Sequence, residues 1–269
     1  MDASDDVFAR LDTTVAHPAR RYNYWLGGDD HFAADRASGD AIAFAMPGVK
    51  LMAVENRAFM ARAVRYLAEQ GVRQFLDIGT GIPAPNNTHE VAQSVDPATR
   101  VVYVDNDPIV PTRSRALLAS APGGVNVYLD ADVREPRSVL EHPDLRATLD
   151  LSKPVGLLLV AVLHFIREDE DPQAIIHALA GALAPGSFVV ASHATWEYLP
   201  AEAIAALIAN NRDGRFQPRT GARFAELLSR YSPVPPGMVS VAHWRADDVP
   251  GPRPAAEDVA CHGIVARID

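Results

Sequence analysis

Acidic residues, glycines and small polar residues recur immediately after three apolar segments of the chain. The residues at these three points are Asp77, Gly79, Thr80 and Gly81, then Asp105 and Asn106, and finally Asp132 and Val133. Glycine lets the backbone approach a ligand closely, because it has no side chain in the way. A carboxylate can accept hydrogen bonds from both hydroxyls of a ribose, and such charge-assisted bonds contribute about 1.5–3 kcal/mol each. Together the three groups therefore predict a pocket for a nucleoside.

The three points are predicted to be the carboxyl ends of consecutive β-strands. Apolar strands alternate with helical segments from residue 74 onward, and the predicted strands are RQFLDIG, RVVYVDN, VNVYLDAD, PVGLLLVAVL and GSFVVASHA. This alternation predicts a doubly wound α/β fold, in which helices cover both faces of a parallel sheet. Ligands of such sheets bind beyond the carboxyl ends of the strands, where the strand order reverses. The polar groups are therefore expected to meet there.

Helices and two final strands are predicted in the rest of the chain. Apolar residues at helical spacing, followed by Gly71, predict a helix over about 53–70. Further helices are predicted at HEVAQSV, VPTRSRALLAS, about 135–148, PQAIIHALAGALA, PAEAIAALIANN and TGARFAELLSRY. The segments GMVSVAHW and CHGIVARI predict an antiparallel pair of strands at one sheet edge. Residues 53–269 are therefore expected to form one domain, with residues 1–52 as an N-terminal helical extension or lid.

Gly79, Gly81 and Ala84 also fit the dinucleotide fingerprint G-x-G-x-x-A. That fingerprint expects a helix that begins directly at the glycines, so that its N-terminus can hold a pyrophosphate. Here prolines lengthen the loop, and the next helix is predicted to begin at Asn87, with Glu90 completing a capping box. An NAD(P)-dependent oxidoreductase with a Rossmann fold is therefore the alternative and not the preferred interpretation.

Asp77 favours a cofactor without phosphate. Its carboxylate would repel a pyrophosphate but would attract a cationic group of a ligand. S-adenosylmethionine carries an ammonium and a sulfonium and has no phosphate. The pattern D-x-G-x-G, with Asp105 and Asp132 at the next two strand ends, therefore predicts S-adenosylmethionine as the cofactor.

Seven segments carry a resemblance to a known protein family. They are RRYNYWLGGDDHFAADR, FLDIGTGIPAPNNTHEVAQ, VVYVDNDPIV, DADVREP, LLLVAVLHFI, SHAT and HWRAD. From about Pro18 to its C-terminus, the chain resembles the actinobacterial S-adenosyl methyltransferase family, a class I methyltransferase group formerly catalogued as a domain of unknown function. The resemblance implies a Rossmann-like fold with a seven-stranded, mostly parallel sheet and an antiparallel last strand. It also implies S-adenosylmethionine as the cofactor.

The same resemblance implies roles for individual residues. It places Asp77, Gly79 and Gly81 around the amino-acid part of the cofactor, Asp105 at the ribose, Asp132 with the backbone of Val133 at the adenine, and His164 near the methyl group. Thr80 and Asn106 are expected in the same pocket. The chain departs from the family at residues 27–31, which read G-G-D-D-H where the family often reads G-G-K-D-N, and it lacks a glutamate often found after Arg219. The resemblance implies no methyl acceptor.

His164 and the N-terminal aromatic residues are the candidates near the reacting methyl group. His164 follows the fourth strand, where it is either a hydrogen-bonded core histidine or a pocket residue, and it is a candidate catalytic group. Tyr22, Tyr24 and Trp25 either form a plug under the sheet or a lid over the cofactor. The lid interpretation, which we favour, places Tyr24 at the cofactor, since an aromatic face attracts a sulfonium by about 0.5–2 kcal/mol.

Composition narrows the class of protein. The chain has 269 residues, of which 48% are hydrophobic and 22% charged, as expected for a globular protein. A net charge of −9 disfavours nucleic acid as a partner. Cys261 is the only cysteine and the histidines show no metal-ligand spacing, so neither an internal disulfide nor a metal site is expected.

The N-terminus and the apolar segments indicate where in the cell the protein is expected. The N-terminus is acidic and unlike a signal peptide, and the longest apolar segment has about a dozen residues, which predicts a cytoplasmic protein without a membrane partner. The predicted function is methyl transfer from S-adenosylmethionine to a small molecule. A non-catalytic protein that binds S-adenosylmethionine is a further alternative, because a fold does not fix a function. A homodimer is left open.

Overall fold

The computed structural model describes residues 12–107, 110, 122–211 and 214–269 of the chain. Within these residues the strands are β1 (Gln74–Ile78), β2 (Arg100–Asp105), β3 (Val125–Asp130), β4 (Gly156–Leu159), β5 (Phe188–Ala194), β6 (Ser232–Pro233), β7 (Val239–Ser240) and β8 (Cys261–Arg267). The α-helices are α1 (Pro18–Trp25), α2 (Ala33–Ala45), α3 (Val49–Glu69), α4 (Thr88–Val95), α5 (Pro136–Glu141), α6 (Pro143–Thr148), α7 (Pro172–Gly181), α8 (Ala201–Asn210), α9 (Gly221–Leu227) and α10 (Ala256–Val259). Two 3₁₀ turns, Leu163–Phe165 and Glu168–Glu170, follow β4.

The strands form one sheet that is parallel except at one edge. Its order is β3-β2-β1-β4-β5-β8-β6, and β7 also pairs with β8. β1 pairs in parallel with both β2 and β4, so the strand order reverses between β1 and β4. β8 runs antiparallel to β5. The mixed α/β fold with an antiparallel final strand is therefore confirmed, and the reversal is the place where such sheets bind ligands.

Burial on both faces explains why the central strands are so apolar. All five residues of β1 and all four of β4 are buried. Successive side chains of a strand point to opposite faces. Accordingly, Leu76 and Leu157 belong to the core on one face of the sheet, whereas Phe75 and Leu158 belong to the core on the other. Helix α3, at 21 residues, contributes much of this second core.

The predicted elements are present with some differences. Because the edge beyond β8 is formed by two strands of two residues each, β6 and β7, the sheet within the described ranges has eight strands and not the seven predicted. The helix predicted over 135–148 is divided into α5 and α6, since Pro143 has no N–H to continue the helical hydrogen bonds. The helix predicted at VPTRSRALLAS lies, from residue 111 onward, outside the described residues.

The N-terminal helices pack over the rest of the fold. Helix α1 packs on α2 and α3, and α2 packs on α8. Helix α3 begins at Val49 and so crosses the domain boundary predicted between residues 52 and 53. No single helix in the described ranges is long and apolar enough to cross a membrane, although α2 and α3, bent by 101° where they meet, would together pass the same test of length and composition.

Candidate active site

A cavity of about 690 Å³ lies at the carboxyl ends of the parallel strands. Nine of the ten residues predicted to bind the cofactor line it, namely Asp77, Gly79, Thr80, Gly81, Asp105, Asn106, Asp132, Val133 and His164. Tyr24 is not among the lining residues. The volume falls within the range of about 300–1,000 Å³ that small-molecule sites usually have. The structure therefore brings these nine residues together around one cavity, and their contact with the cofactor stays a prediction.

The glycines that follow β1 turn the backbone into the cavity. Gly79 and Gly81 have φ values of +69° and +67°, which residues with a Cβ atom rarely adopt. A Cβ at Gly79 would lie 2.6 Å from Cγ2 of Val162, whereas a Cβ at Gly81 would meet no atom within 4 Å. Gly79 is therefore required by packing as well as by conformation. Gly81 leaves open space on the cavity side of the turn.

Asp77 is a buried carboxyl group at the end of β1, with 4% of its surface exposed. Its Oδ2 accepts a hydrogen bond of 2.6 Å from the hydroxyl of Thr88. Burial raises the pKa of Asp77 to about 6, although the Thr88 hydroxyl and the nearby Arg57 both act to lower it. The ionised form is therefore costly in the free protein, and a cationic ligand group beside it would stabilise that form.

Asp105 is the last residue of β2, and its carboxylate fixes the turn after β1 and the turn after β2. Its Oδ2 accepts the N–H of Gly81 at 2.7 Å, and its Oδ1 accepts the N–H of Asp107 at 2.9 Å. Burial raises the pKa of Asp105, and these two N–H groups act to lower it. An ionised carboxylate has about four acceptor positions, so the two hydrogen bonds leave room for ribose hydroxyls.

Asp132 lines the cavity but already has four hydrogen bonds from its own chain. Arg134 donates to it from the backbone N–H and from two guanidinium nitrogens, at 2.5–2.9 Å, and the amide of Asn106 donates at 2.9 Å. Burial acts to raise the pKa of Asp132, but the bonds from Arg134 outweigh it and lower the pKa. With its acceptor positions filled, Asp132 orders the loop beside the cavity. The predicted bond from an adenine amine to this carboxylate is not favoured by the geometry.

His164 lines the cavity as a neutral side chain. Burial lowers its pKa well below the usual value, and His193 and Arg219 lower it further. The N–H of Ala194 points at its Nδ1 over 3.5 Å, which favours the neutral tautomer with the proton on Nε2. A neutral imidazole in this state donates a hydrogen bond from Nε2. Of the roles that the candidate catalytic group His164 could have, the geometry therefore favours that of a hydrogen-bond donor over that of a base.

Both ring nitrogens of His193 are hydrogen-bonded within the protein, which indicates a structural role. Arg219 donates to its Nε2 at 3.1 Å, and its Nδ1 donates to the carbonyl of Ala194 at 2.8 Å. Burial lowers the pKa of His193 to about 3. Arg219 also donates to the carbonyls of Leu163 and Ile166 at 2.9 and 2.8 Å. This arginine therefore fixes the turn that carries His164.

The aromatic residues of α1 divide between two faces of the helix. Tyr22 and Trp25, three residues apart and thus on one face, line the cavity. Tyr24 faces elsewhere, because its hydroxyl donates to Asp40 at 2.7 Å. Tyr22 donates to the carbonyl of Ala53 at 2.9 Å. The prediction that Tyr24 contacts the cofactor is therefore corrected, and Tyr22 and Trp25 take its place in the cavity wall.

A buried polar cluster joins the N-terminal segment to the end of β2. Nδ1 of His17 lies 2.8 Å from Oδ2 of Asp107, and Nε of Arg20 lies 3.7 Å from the same oxygen. Asp35, which is fully buried, accepts the N–H groups of His17 and Phe32, each at 2.8 Å. This cluster was not identified from the sequence. Partners about 90 residues apart leave no local pattern that could have predicted it.

The residues at the start of α4 belong to the loop and not to the cavity. Asn87 is the N-cap, and its own N–H donates to Glu90 at 2.8 Å, so the predicted capping box is present. Arg57 donates to the side chain of Asn87 at 2.8 Å and to the carbonyl of Ala84 at 3.0 Å. His89 is hydrogen-bonded to the hydroxyl of Tyr103 at 2.7 Å. Arg57, which the sequence did not single out, thus fixes the proline-rich loop from α3.

Comparison with known families decides the chemistry of the site. A family model described as "S-adenosyl methyltransferase" matches residues 4–269. The chain belongs to the S-adenosyl methyltransferase family. The protein is therefore a methyltransferase with S-adenosylmethionine as its cofactor, and the family predicted from the sequence is confirmed.

Solved structures agree with this assignment of the methyltransferase. A DUF574 family protein from Streptomyces avermitilis MA-4680 is 43% identical with a TM-score of 0.88, and covers 95% of this chain and 98% of its own. A protein from Thermobifida fusca YX is 40% identical with a TM-score of 0.86, at 96% and 97% coverage. Both organisms are actinobacteria. No match was found among curated proteins.

A more remote structure supports the fold of the methyltransferase alone. Magnesium protoporphyrin IX methyltransferase from Synechocystis PCC 6803, solved with bound S-adenosylhomocysteine, is 13% identical with a TM-score of 0.52. The alignment covers 93% of each chain. The class I methyltransferase fold predicted from the sequence is thus confirmed.

The lining residues of the methyltransferase cavity fit this cofactor. The spare acceptor positions of Asp105 suit ribose hydroxyls, and the buried carboxyl group of Asp77 suits an ammonium. The open space beside Gly81 admits a ligand that a side chain would exclude. When bound, the cofactor supplies an activated methyl group on a sulfonium.

Proposed function

We propose that this methyltransferase transfers a methyl group from S-adenosylmethionine to a small-molecule acceptor. The observation that supports this most is the lining of the cavity, which includes residues of three helices as well as the residues at the strand ends. The helical residues include Trp25 of α1, Ile42 of α2 and Leu207 of α8. A cavity covered in this way suits a compact acceptor better than a macromolecular one.

The residues of the chain would act mainly by placing and covering the reactants. We propose that Asp77, Gly79, Gly81 and Asp105 hold the cofactor, with Thr80, Asn106 and Val133 beside them. Tyr22 and Trp25 would exclude water from the methyl group, which favours transfer to the acceptor over loss to solvent. Methyl transfer needs the acceptor, the methyl group and the sulfur in line, and such alignment can contribute about 7–11 kcal/mol. A dedicated catalytic base is not required for an acceptor that is already deprotonated.

The experiment is a radiolabelled methyl transfer assay on a fractionated cell extract. The extract is separated by ultrafiltration into small molecules and macromolecules, and each fraction is incubated with the enzyme and methyl-labelled S-adenosylmethionine. Label in the small-molecule fraction supports the proposal. Label confined to protein or nucleic acid contradicts it, while cofactor binding without any transfer would favour the non-catalytic alternative.

Other features of the proposal follow from charge and composition. The net charge of −9 supports a protein without nucleic-acid partners. The oxidoreductase alternative is set aside, because the chain belongs to a methyltransferase family and because Pro83 and Pro85 separate the glycines from α4. A cytoplasmic location, the absence of a membrane partner and a homodimer stay as predictions.

A further inference from the structure

Four aromatic rings contact one another along one part of the cavity. His164 and Phe165 follow β4, Trp196 follows β5, and Phe216 lies after α8. The ring of Phe216 lies 4.9 Å from that of His164, 5.7 Å from that of Phe165 and 5.8 Å from that of Trp196, measured between centroids. All four residues line the cavity, and we call them the aromatic wall.

The aromatic wall and the proposed ribose and adenine residues lie at the ends of strands on opposite sides of the strand reversal. Asp105 ends β2 and Asp132 follows β3, and both strands lie on one side of β1 in the strand order. The wall residues follow β4 and β5 on the other side, or lie beyond α8. The proposed nucleoside site and the wall are therefore separate parts of one cavity, and the strand reversal between β1 and β4 lies between them.

The arrangement of the rings favours a flat ligand. Trp196 and Phe216 are nearly parallel, with 28° between their planes, and Phe165 is inclined at 68° to Phe216. A ring placed against such a surface can stack on one member and meet the edge of another, which contributes about 0.5–1.5 kcal/mol per pair beyond the burial of area. A saturated ligand of the same size would gain only the burial.

The wall also contains a polar contact. His164 is neutral with its proton on Nε2, so it can donate a hydrogen bond to an oxygen of a ligand that lies against the rings. We infer that the acceptor is a planar aromatic compound with an oxygen substituent, which binds against the aromatic wall. This inference rests on the proposed function.

The test compares two probes that share a bicyclic carbon skeleton with one hydroxyl group, of which one is flat and aromatic and the other is saturated. Calorimetry measures the affinity of 2-naphthol and of its saturated analogue, decahydro-2-naphthol, for the enzyme saturated with S-adenosylhomocysteine. We expect 2-naphthol to bind about tenfold more tightly, as two ring contacts would give. Phe216→Leu, which keeps apolar volume but removes a ring, should weaken 2-naphthol about two- to tenfold and leave decahydro-2-naphthol unchanged.

A matched control and a prior titration separate the two proposals. Phe44→Leu makes the same change at a side chain that is 92% exposed, and it should alter neither probe's affinity. Equal affinity for the two probes, no binding of either, or an unchanged ratio in Phe216→Leu would overturn the aromatic acceptor. Failure of S-adenosylhomocysteine to bind in the first titration would instead overturn the proposed function.

Discussion

Asp77 and Asp105 are both buried carboxyl groups at strand ends, yet their hydrogen bonds differ. Burial raises the pKa of Asp105 as well, but two backbone N–H groups donate to this carboxyl group and act to lower its pKa. Asp77 accepts one hydroxyl hydrogen bond from Thr88, and burial raises its pKa to about 6. The two residues should therefore respond differently to pH and to amide substitution.

The affinity for S-adenosylhomocysteine should depend on the ionisation of Asp77. Below a pH of about 6 the carboxyl group is protonated and must lose its proton to pair with the ligand's ammonium. Affinity should therefore rise with pH and be about tenfold weaker at about pH 5 than at about pH 7. Calorimetry across this range measures it, and Asp77→Asn should give a flat profile. A flat profile in the unmodified enzyme would contradict the role assigned to Asp77.

Asp105→Asn should weaken S-adenosylhomocysteine binding by roughly ten- to a hundredfold. The substitution replaces charge-assisted hydrogen bonds to the ribose, which contribute about 1.5–3 kcal/mol, with weaker neutral ones. Asp169→Asn is a suitable control, because Asp169 is 71% exposed and pairs with Arg167 on the surface. Equal affinities for the two variants would place the ribose elsewhere.

The turn after β1 provides a test of local structure. Gly79→Ala should lower the free energy of unfolding by about 2–5 kcal/mol, since the new Cβ must adopt a disfavoured φ and also displace Val162. Gly81→Ala should lower the free energy of unfolding by only about 1–2 kcal/mol, because the new Cβ adopts the disfavoured φ but displaces no neighbouring atom. Urea denaturation measures both.

Gly251→Ala is the control for this comparison. Gly251 has a φ of +84°, a Cβ added there would meet no atom within 4 Å, and the residue does not line the cavity. It should resemble Gly81→Ala in stability but should not affect cofactor binding. Equal losses of unfolding free energy in Gly79→Ala and Gly81→Ala would mean that Val162 moves aside without destabilising the fold.

The N-terminal helices depend on Asp35 for their attachment. Asp35→Ala removes the acceptor of two backbone N–H groups, and buried donors left unsatisfied cost about 1–3 kcal/mol each. Limited proteolysis should then cleave the segment before α3 faster, and binding of S-adenosylhomocysteine should weaken. Asp40→Ala is the control, because Asp40 is an exposed residue of the same helix that accepts a hydrogen bond from Tyr24. It should change neither the rate of proteolysis nor the affinity for S-adenosylhomocysteine. Unchanged proteolysis in Asp35→Ala would show that other contacts hold the segment.

The sheet and the base of the site could be predicted from the sequence because their signals are local. Apolar strands that end in Asp77 and Asp105 show the strand ends directly, and Asn87 with Glu90 shows where α4 begins. The direction of Tyr24 could not be predicted, since it depends on how a short helix packs on α2 and α3.

Two pairs of residues that are distant in sequence were also beyond prediction. His17 and Asp107 meet across about 90 residues at the end of β2. Trp196 and Phe216 come to the aromatic wall from two separate connections. Neither pair has a spacing that would identify it, because tertiary packing alone brings its members together.

A crystal structure of the enzyme with S-adenosylhomocysteine tests the central claim most directly. The proposed function predicts the ribose within hydrogen-bond distance of Asp105, the amino group beside Asp77, and the sulfur directed toward the aromatic wall. A ligand bound outside this cavity, or one whose sulfur faces away from His164 and Phe216, would contradict it.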